Sequence, residues 1–356
     1  VQDHNGRMKP MNTYASEIVR KLSRKENLHG LNAEQIVLGM AASPKDWYDV
    51  PLIKLGHHEE IRNILQASGD LVTYSDFFNI DGTYKFKDLV RTAYNTPQRD
   101  RGVFEKEIMK LDEKVNICSM VFSGRFMRSF PVPGDTSNHW LSPLDVPEQQ
   151  LTGSEGSFIS KFYPAYVSIL KSAIQSNDWD IANKLIVELD QYQRQYGAAI
   201  MPSDTKINSE ILLNKLNVFN RLGGFYAILG LVFLALLFTT VFKPDWNLKL
   251  PSNIAFASLA LCFIFHTFGL GLRWYVSGRA PWSNGYESMI YIGFTTVLAG
   301  LIFSRKSLGG LAATSVLAAT ILMVAHLSFL DPEITPLVPV LKSYWLTIHV
   351  SLEAGS

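Results

Sequence analysis

The feature that most constrains this chain is the series of long apolar stretches in its second half. Residues 222–242 carry no charged side chain. As a helix rising about 1.5 Å per residue, such a stretch crosses roughly 30 Å of hydrocarbon. A second stretch, 250–272, holds one titratable residue, His266. A third covers 288–304, and a fourth, 307–330, carries His326. After Lys342-Ser343, the run Tyr344–Val350 opens a fifth, 344–356, which ends on polar residues before a full span is complete. The expected architecture is mainly α, with a polytopic helical membrane domain over 217–356 made of four complete spans and the start of a fifth.

Whole-chain averages conceal this. The 356 residues are 47% hydrophobic with net charge +1, values ordinary for a water-soluble protein. Residues 1–216 hold most of the charge and are long enough to bury a core of their own, so we expect a separate, mainly helical domain there. Near-neutral charge gives no reason to expect a nucleic-acid partner. Cys118 and Cys262 form no CxxC and are expected to be free thiols. The start at Val1 and the polar ending Glu353–Ser356 suggest a piece of a longer polypeptide.

Within the first domain, Tyr14, Ile18 and Leu22 recur at helical spacing, with Asn12 or Thr13 available as N-cap. Asn32 and Gln35 have capping-box spacing ahead of a helix over 33–40. Asp178 stands before a helix whose apolar face is Ile181, Leu185, Leu189 and Tyr192. Phe130–Asp135 and His139–Pro143 are turn-rich, and Pro131 and Pro133 forbid a helix. His57-His58-Glu59-Glu60 reads as a solvated polar patch, because adjacent helical residues point in different directions. No catalytic constellation emerges. The stretch 207–220 has helical spacing and is expected to run continuously into the first span.

Basic residues suggest an orientation. Lys243, Lys249, Arg305 and Lys306 follow spans one and three, and the positive-inside rule puts them in the cytoplasm, although Arg273 and Arg279 weaken the bias. Residues 1–216, 273–286 and 331–343 are then extracytoplasmic.

Ionisable residues inside spans are costly and mark candidate sites. His266 lies about 10 Å below the outer interface by helical rise, His326 near the outer end of span four, and His349 one to two turns into the fifth helix. Each could instead hydrogen-bond a neighbouring helix. Their shared depth favours a histidine-lined outer site. Imidazole is an axial ligand for haem iron, and a haem site needs aromatic and cationic surface, both present in Arg273-Trp274-Tyr275 and Arg279–Trp282. Tryptophan at a membrane boundary also forms interfacial belts without any ligand. A membrane-anchored sensor or scaffold, or a small-solute transporter, remains open at this level.

The segment Arg273-Trp274 followed by Gly278-Arg279-Ala280-Pro281-Trp282-Ser283-Asn284-Gly285-Tyr286-Glu287-Ser288 resembles the CcsA/ResC-type cytochrome c biogenesis proteins. Ser343–Val350 is similar to that family's helix bearing its first external haem-ligating histidine. Val1-Gln2-Asp3, Gly6-Arg7 and Lys9-Pro10 resemble the opening of the outer domain in fused CcsB–CcsA proteins. The resemblance implies system II maturation in the bacterial inner membrane. Residues 1–216 would be periplasmic, with a CcsB/ResB-like region or subunit as partner. Haem would be carried to the outer face and joined by thioether bonds to CxxCH apocytochrome c. It implies His349 as a haem axial ligand. His266 and His326 match no family ligand and stay weak candidates. We expect Arg273, Arg279, Trp282 and Trp345 to form the haem environment, the arginines facing the propionates. The tryptophan-rich haem motif and the second external histidine of the family are missing from this stretch, so the parent protein is the expected synthase.

Overall fold

A computed structural model describes residues 1–142, 154–327, 330, 332–336 and 344–355. Pro143, residues 328–329, Asp331, Lys342 and Ser343 lie outside them. The described chain is mostly helical and divides into two compact units, Val1–Pro202 and Ser203–Ser356.

The first unit contains α1 (Met11–Ser23), α2 (Ala33–Ala42), α3 (Pro44–Trp47), α4 (Glu59–Leu65), α5 (Lys87–Asn95), α6 (Val103–Phe122), α7 (Ser154–Ser176) and α8 (Asp180–Gly197). Three antiparallel pairs accompany them: β1 (Asn27–Leu28) with β2 (Leu31–Asn32), β3 (Ile53–Lys54) with β4 (Leu71–Val72), and β5 (Phe130–Pro131) with β6 (Trp140–Leu141). Tyr14, Ile18 and Leu22 are buried with Ile36, Val37 and Met40 of α2 and Ile108, Val115 and Cys118 of α6. The Asn32 carboxamide accepts the Gln35 N–H at 2.8 Å, and Gln35 returns its oxygen to the Asn32 N–H at 3.0 Å, a complete capping box. Neither Asn12 nor Thr13 caps α1. The helix starts at Met11 behind the extended Pro10, so both residues are already inside it. At α8 the Asp178 carboxylate accepts the Asp180 N–H, and Leu185, Leu189 and Tyr192 pack towards Phe130, Ile159 and Phe162. Ile181 stays exposed on the first turn.

A buried charge cluster ties the N-terminus down. Lys9 Nζ sits 2.9 Å from Asp3 and 2.5 Å from Glu17, and all three side chains are buried.

The second unit contains α9 (Asp204–Leu216), α10 (Val218–Phe242), α11 (Lys249–Ser277), α12 (Gly285–Phe303), α13 (Leu308–Ala325) and α14 (Tyr344–Gly355). Among the described residues four helices, those ending at Phe242, Ser277, Phe303 and Ala325, are long and apolar enough to cross a membrane. In hydrocarbon every backbone polar group must be paired within the segment, which a helix achieves. Tyr226 and Phe233 of α10, Leu259 of α11, Ile290 and Val297 of α12, and Ala318 and Leu322 of α13 form the buried core. Phe225, Ile228, Leu231, Ile264 and Phe303 face outward. This is the pattern of a bundle solvated by lipid. Glycine lets the helices approach closely. A Cβ at Gly230 would lie 2.7 Å from a Val316 methyl, and one at Gly300 would strike Thr314.

Three helix ends differ from expectation. The run into the first span is not continuous. Asn217 adopts a left-handed conformation (φ 43°) and separates α9 from α10. Helix α11 continues to Ser277 because only at Gly278 does the backbone turn left-handed (φ 69°), so Arg273 belongs to the helix and not to the loop. Helix α13 ends at Ala325, short of the expected Leu330. There the His326 N–H bonds Met323 and the Leu327 N–H bonds Val324, tightening the last turn. His326 therefore stands at the helix end, not inside the span.

Two outcomes test these contacts. Gly230→Leu is expected to lower bundle stability by about 1–3 kcal/mol through overpacking. Gly224→Leu, where a Cβ meets nothing within 4 Å, is expected to be tolerated. Thermal unfolding in detergent compares them. In the first unit, burial would raise the Asp3 carboxyl, but Lys9 and the Arg7 and Asn5 N–H groups outweigh it and hold Asp3 below its usual range. A depressed folded pKa gives stability that is present above the ordinary carboxylate range and lost as pH falls through the folded value. Lys9→Met should cost about 3–5 kcal/mol at neutral pH by stranding two carboxylates. The deficit should shrink in acid, as read by melting curves across pH.

Candidate functional site

One end of the second unit gathers most of the candidate residues. Its centre is Glu287, in the first turn of α12. The Asn284 carboxamide accepts the Glu287 N–H at 2.7 Å and caps the helix, which turns the Glu287 side chain back over the preceding loop. This carboxylate is completely buried. Oε1 receives Arg273 Nε at 3.0 Å and lies 2.9 Å from Arg273 Nη2. Oε2 receives Arg279 Nη1 at 2.8 Å and the Ser283 N–H at 2.8 Å.

Each arginine also donates to one main-chain carbonyl. Arg273 Nη1 donates to Pro332 at 3.0 Å, and Arg279 Nη2 to Thr335 at 3.1 Å. Arg273 is 4% exposed and lies 5.2 Å over the Tyr286 ring. One carboxylate thus joins α11, the loop 278–284, α12 and the stretch 332–335. Desolvating these charges is expensive. Two cations and hydrogen bonds to each oxygen compensate it.

His266 is fully buried, with both ring nitrogens engaged: Nδ1 with Tyr226 Oη at 3.2 Å and Nε2 with the Ile290 carbonyl at 3.1 Å. It links α10, α11 and α12. With the Ile290 carbonyl fixing the proton on Nε2, Nδ1 accepts from the tyrosine. Phe219, Tyr226 and Phe294 surround the ring at centroid separations of 5.6–6.0 Å. His326 is exposed, accepts no span environment, and donates Nδ1 to the Leu322 carbonyl at 2.7 Å, with Tyr286 edge-on at 6.0 Å.

Trp282 packs against Trp274 at 5.7 Å and Tyr291 at 4.8 Å, on the outer flank of the same end. On α14, which packs against α12, His349 and Trp345 are one helical turn apart on one face. The His349 side chain is 72% exposed and Trp345 is 77% exposed, with His349 Nε2 3.5 Å from Glu353. Arg273, Arg279 and His326 are thus brought to one end, with Trp282 on its flank. His266 sits deeper, in the helix core, and His349 lies on a separate exposed helical face. Among the described residues no three His, Cys, Asp or Glu side chains come together as a metal site.

Sequence reasoning did not single out Glu287 or Tyr226. The Asn284-x-x-Glu287 spacing was the available signal for the first, since it predicts an N-cap and a carboxylate on a helix's first turn. No local signal pairs Tyr226 with His266, 40 residues away. If His266 is a tie between helices, His266→Phe should lower stability by about 1–2 kcal/mol, the range of interhelical hydrogen bonds in membranes. Tyr226→Phe should lose only part of that. Paired thermal melts check it.

No family model matches the chain. It is 38% identical to protein NrfI of Wolinella succinogenes over 360 aligned positions, covering all of this chain and 39% of NrfI. It is 36% identical over 137 residues to the cytochrome c biogenesis protein CcsA of Prochlorococcus marinus strain MIT 9303, covering 37% of this chain and 43% of that protein. With CcsA of Synechococcus sp. strain WH7803 the identity is 35% over 132 residues, covering 35% and 41%. The chain spans about two fifths of the length of these relatives. A four-helix membrane bundle, the Arg273–Tyr286 segment folded around Glu287, and similarity along the whole chain to part of NrfI and over about a third of it to part of CcsA converge on a resemblance to the CcsA-type cytochrome c biogenesis proteins.

Proposed function

We propose that this chain is part of a cytochrome c maturation protein that receives haem at the extracytoplasmic face, with His349 as an axial ligand to the iron. The observation that carries the reading is the exposed face of α14. Trp345 and His349 stand one turn apart, followed by Leu352 and Glu353 on the same side. An imidazole beside an indole, open to solvent at a membrane boundary, fits a flat apolar porphyrin that needs a nitrogen ligand and aromatic contact. Haem bound there supplies vinyl groups for thioether formation with the cysteines of a CxxCH apocytochrome c.

The protein's own residues provide position. His349 would hold the iron and Trp345 the ring plane. Trp282 lines the neighbouring loop. Arg273 and Arg279 are committed to Glu287, and in this reading they shape the outer surface. Arg279, the more exposed of the two, is the one within reach of a propionate. His266, with both nitrogens engaged, is read as structural, and His326 as a secondary candidate through Nε2. The orientation that puts Lys243, Lys249, Arg305 and Lys306 in the cytoplasm supports an external site, with residues 1–216 on the periplasmic side of the bacterial inner membrane. Apocytochrome c and a CcsB/ResB-like region are the proposed partners. Docking of either is the proposed role of the first unit.

His349→Gly in the full-length protein should alter the haem Soret band and reduce cytochrome c yield, and added imidazole should restore both. An unaltered band, or colourless protein from haem-replete cells, would refute the assignment.

A further inference from the structure

We infer that Glu287 is a positioning residue for the haem ligand. It acts as a charged clasp that fixes the outer segment 332–335 and the helix α12 on which α14 rests. The inference builds on the proposed role of His349. Glu287 does not touch His349, and its contact with the proposed haem environment is its pairing with Arg273 and Arg279. Its effect would pass through two structural links. The first runs through the arginines. Arg273 carries the Pro332 carbonyl at 3.0 Å and Arg279 the Thr335 carbonyl at 3.1 Å, and both guanidinium groups are held in place by the same carboxylate. The segment so held is packed down, with Glu333 and Ile334 buried. The chain then leads from Pro336 to the start of α14 at Tyr344. The second link is direct packing, because α14 lies against α12, whose first turn carries Glu287.

The arrangement is all-or-none. Each arginine bridges the carboxylate and the 332–335 backbone, so removing the negative charge leaves the buried Arg273 and the half-buried Arg279 without their shared counter-charge. The guanidinium groups then turn towards water and release both carbonyls. A lysine cannot replace Arg279, because a single ammonium cannot span Glu287 and the Thr335 carbonyl in the fixed fork geometry of a guanidinium. The clasp thus couples the α11–α12 loop to the approach of the ligand-bearing helix.

The test uses the full-length protein with two readouts. Backbone hydrogen exchange of residues 333–335 reports the clasp, and the Soret band with its response to imidazole reports ligation. In Glu287→Gln, exchange of 333–335 should rise, and the band should shift in the direction of His349→Gly and recover with imidazole. Faster exchange with a wild-type band would reduce the clasp to a purely structural role and overturn the inference. Unchanged exchange would also overturn it. Where Glu287→Gln does not accumulate in the membrane, Glu287→Asp, which keeps the charge but shortens its reach to the arginines, decides by the same two criteria. Failure of the His349 assignment is separately visible as an unaltered band in His349→Gly itself.

Discussion

A carboxylate shut away from water must be surrounded by cations and donors, and Glu287 shows how far that requirement organises its surroundings. Three hydrogen bonds converge on its two oxygens, from Arg273 of α11 and from Arg279 and the Ser283 N–H of the loop 278–284, and Arg273 Nη2 adds a further ionic contact. Replacing such a cluster with apolar residues can be neutral for stability, whereas removing one member is severe. Its value therefore lies in specification. It ties the end of α11 to the loop that crosses to α12 and to the stretch 332–335.

Below that charged end the bundle relies on apolar packing and a small number of polar ties. Association between spans gains little from the hydrophobic effect, because lipid is as apolar as leucine, so close approach at Gly230 and Gly300 and the His266 bridge carry more weight. His266 illustrates a general choice for intramembrane histidine. With Tyr226 on one nitrogen and Ile290 on the other, the ring is satisfied within the bundle. His349, on an exposed face, is not enclosed in this way. The difference in environment, more than the shared residue type, separates the structural role of His266 from the ligand role proposed for His349.

Much of this was legible in the residues. Uncharged runs of twenty or so positions mark spans because hydrocarbon tolerates little else, and the capping box at Asn32 announces a helix start by purely local chemistry. What escaped prediction depends on partners remote in sequence or on single backbone conformations. The arginines at 273 and 279 read as free cations available to a propionate until Glu287, Pro332 and Thr335 are seen to hold them. Asn217, with φ of 43°, interrupts a helix that its flanking apolar periodicity would continue. Gly278 extends α11 past Arg273, and a tight last turn ends α13 before His326.

The central claim is that the Glu287 end of the bundle, with α14, faces the extracytoplasmic side. Single cysteines at Thr335 and Lys306, both exposed and at opposite ends of the bundle, test this in a background lacking Cys118 and Cys262. A membrane-impermeant maleimide applied from the periplasmic side should label position 335 in intact membranes and position 306 only after the bilayer is disrupted. The reverse pattern would put His349 at the cytoplasmic surface and contradict the account.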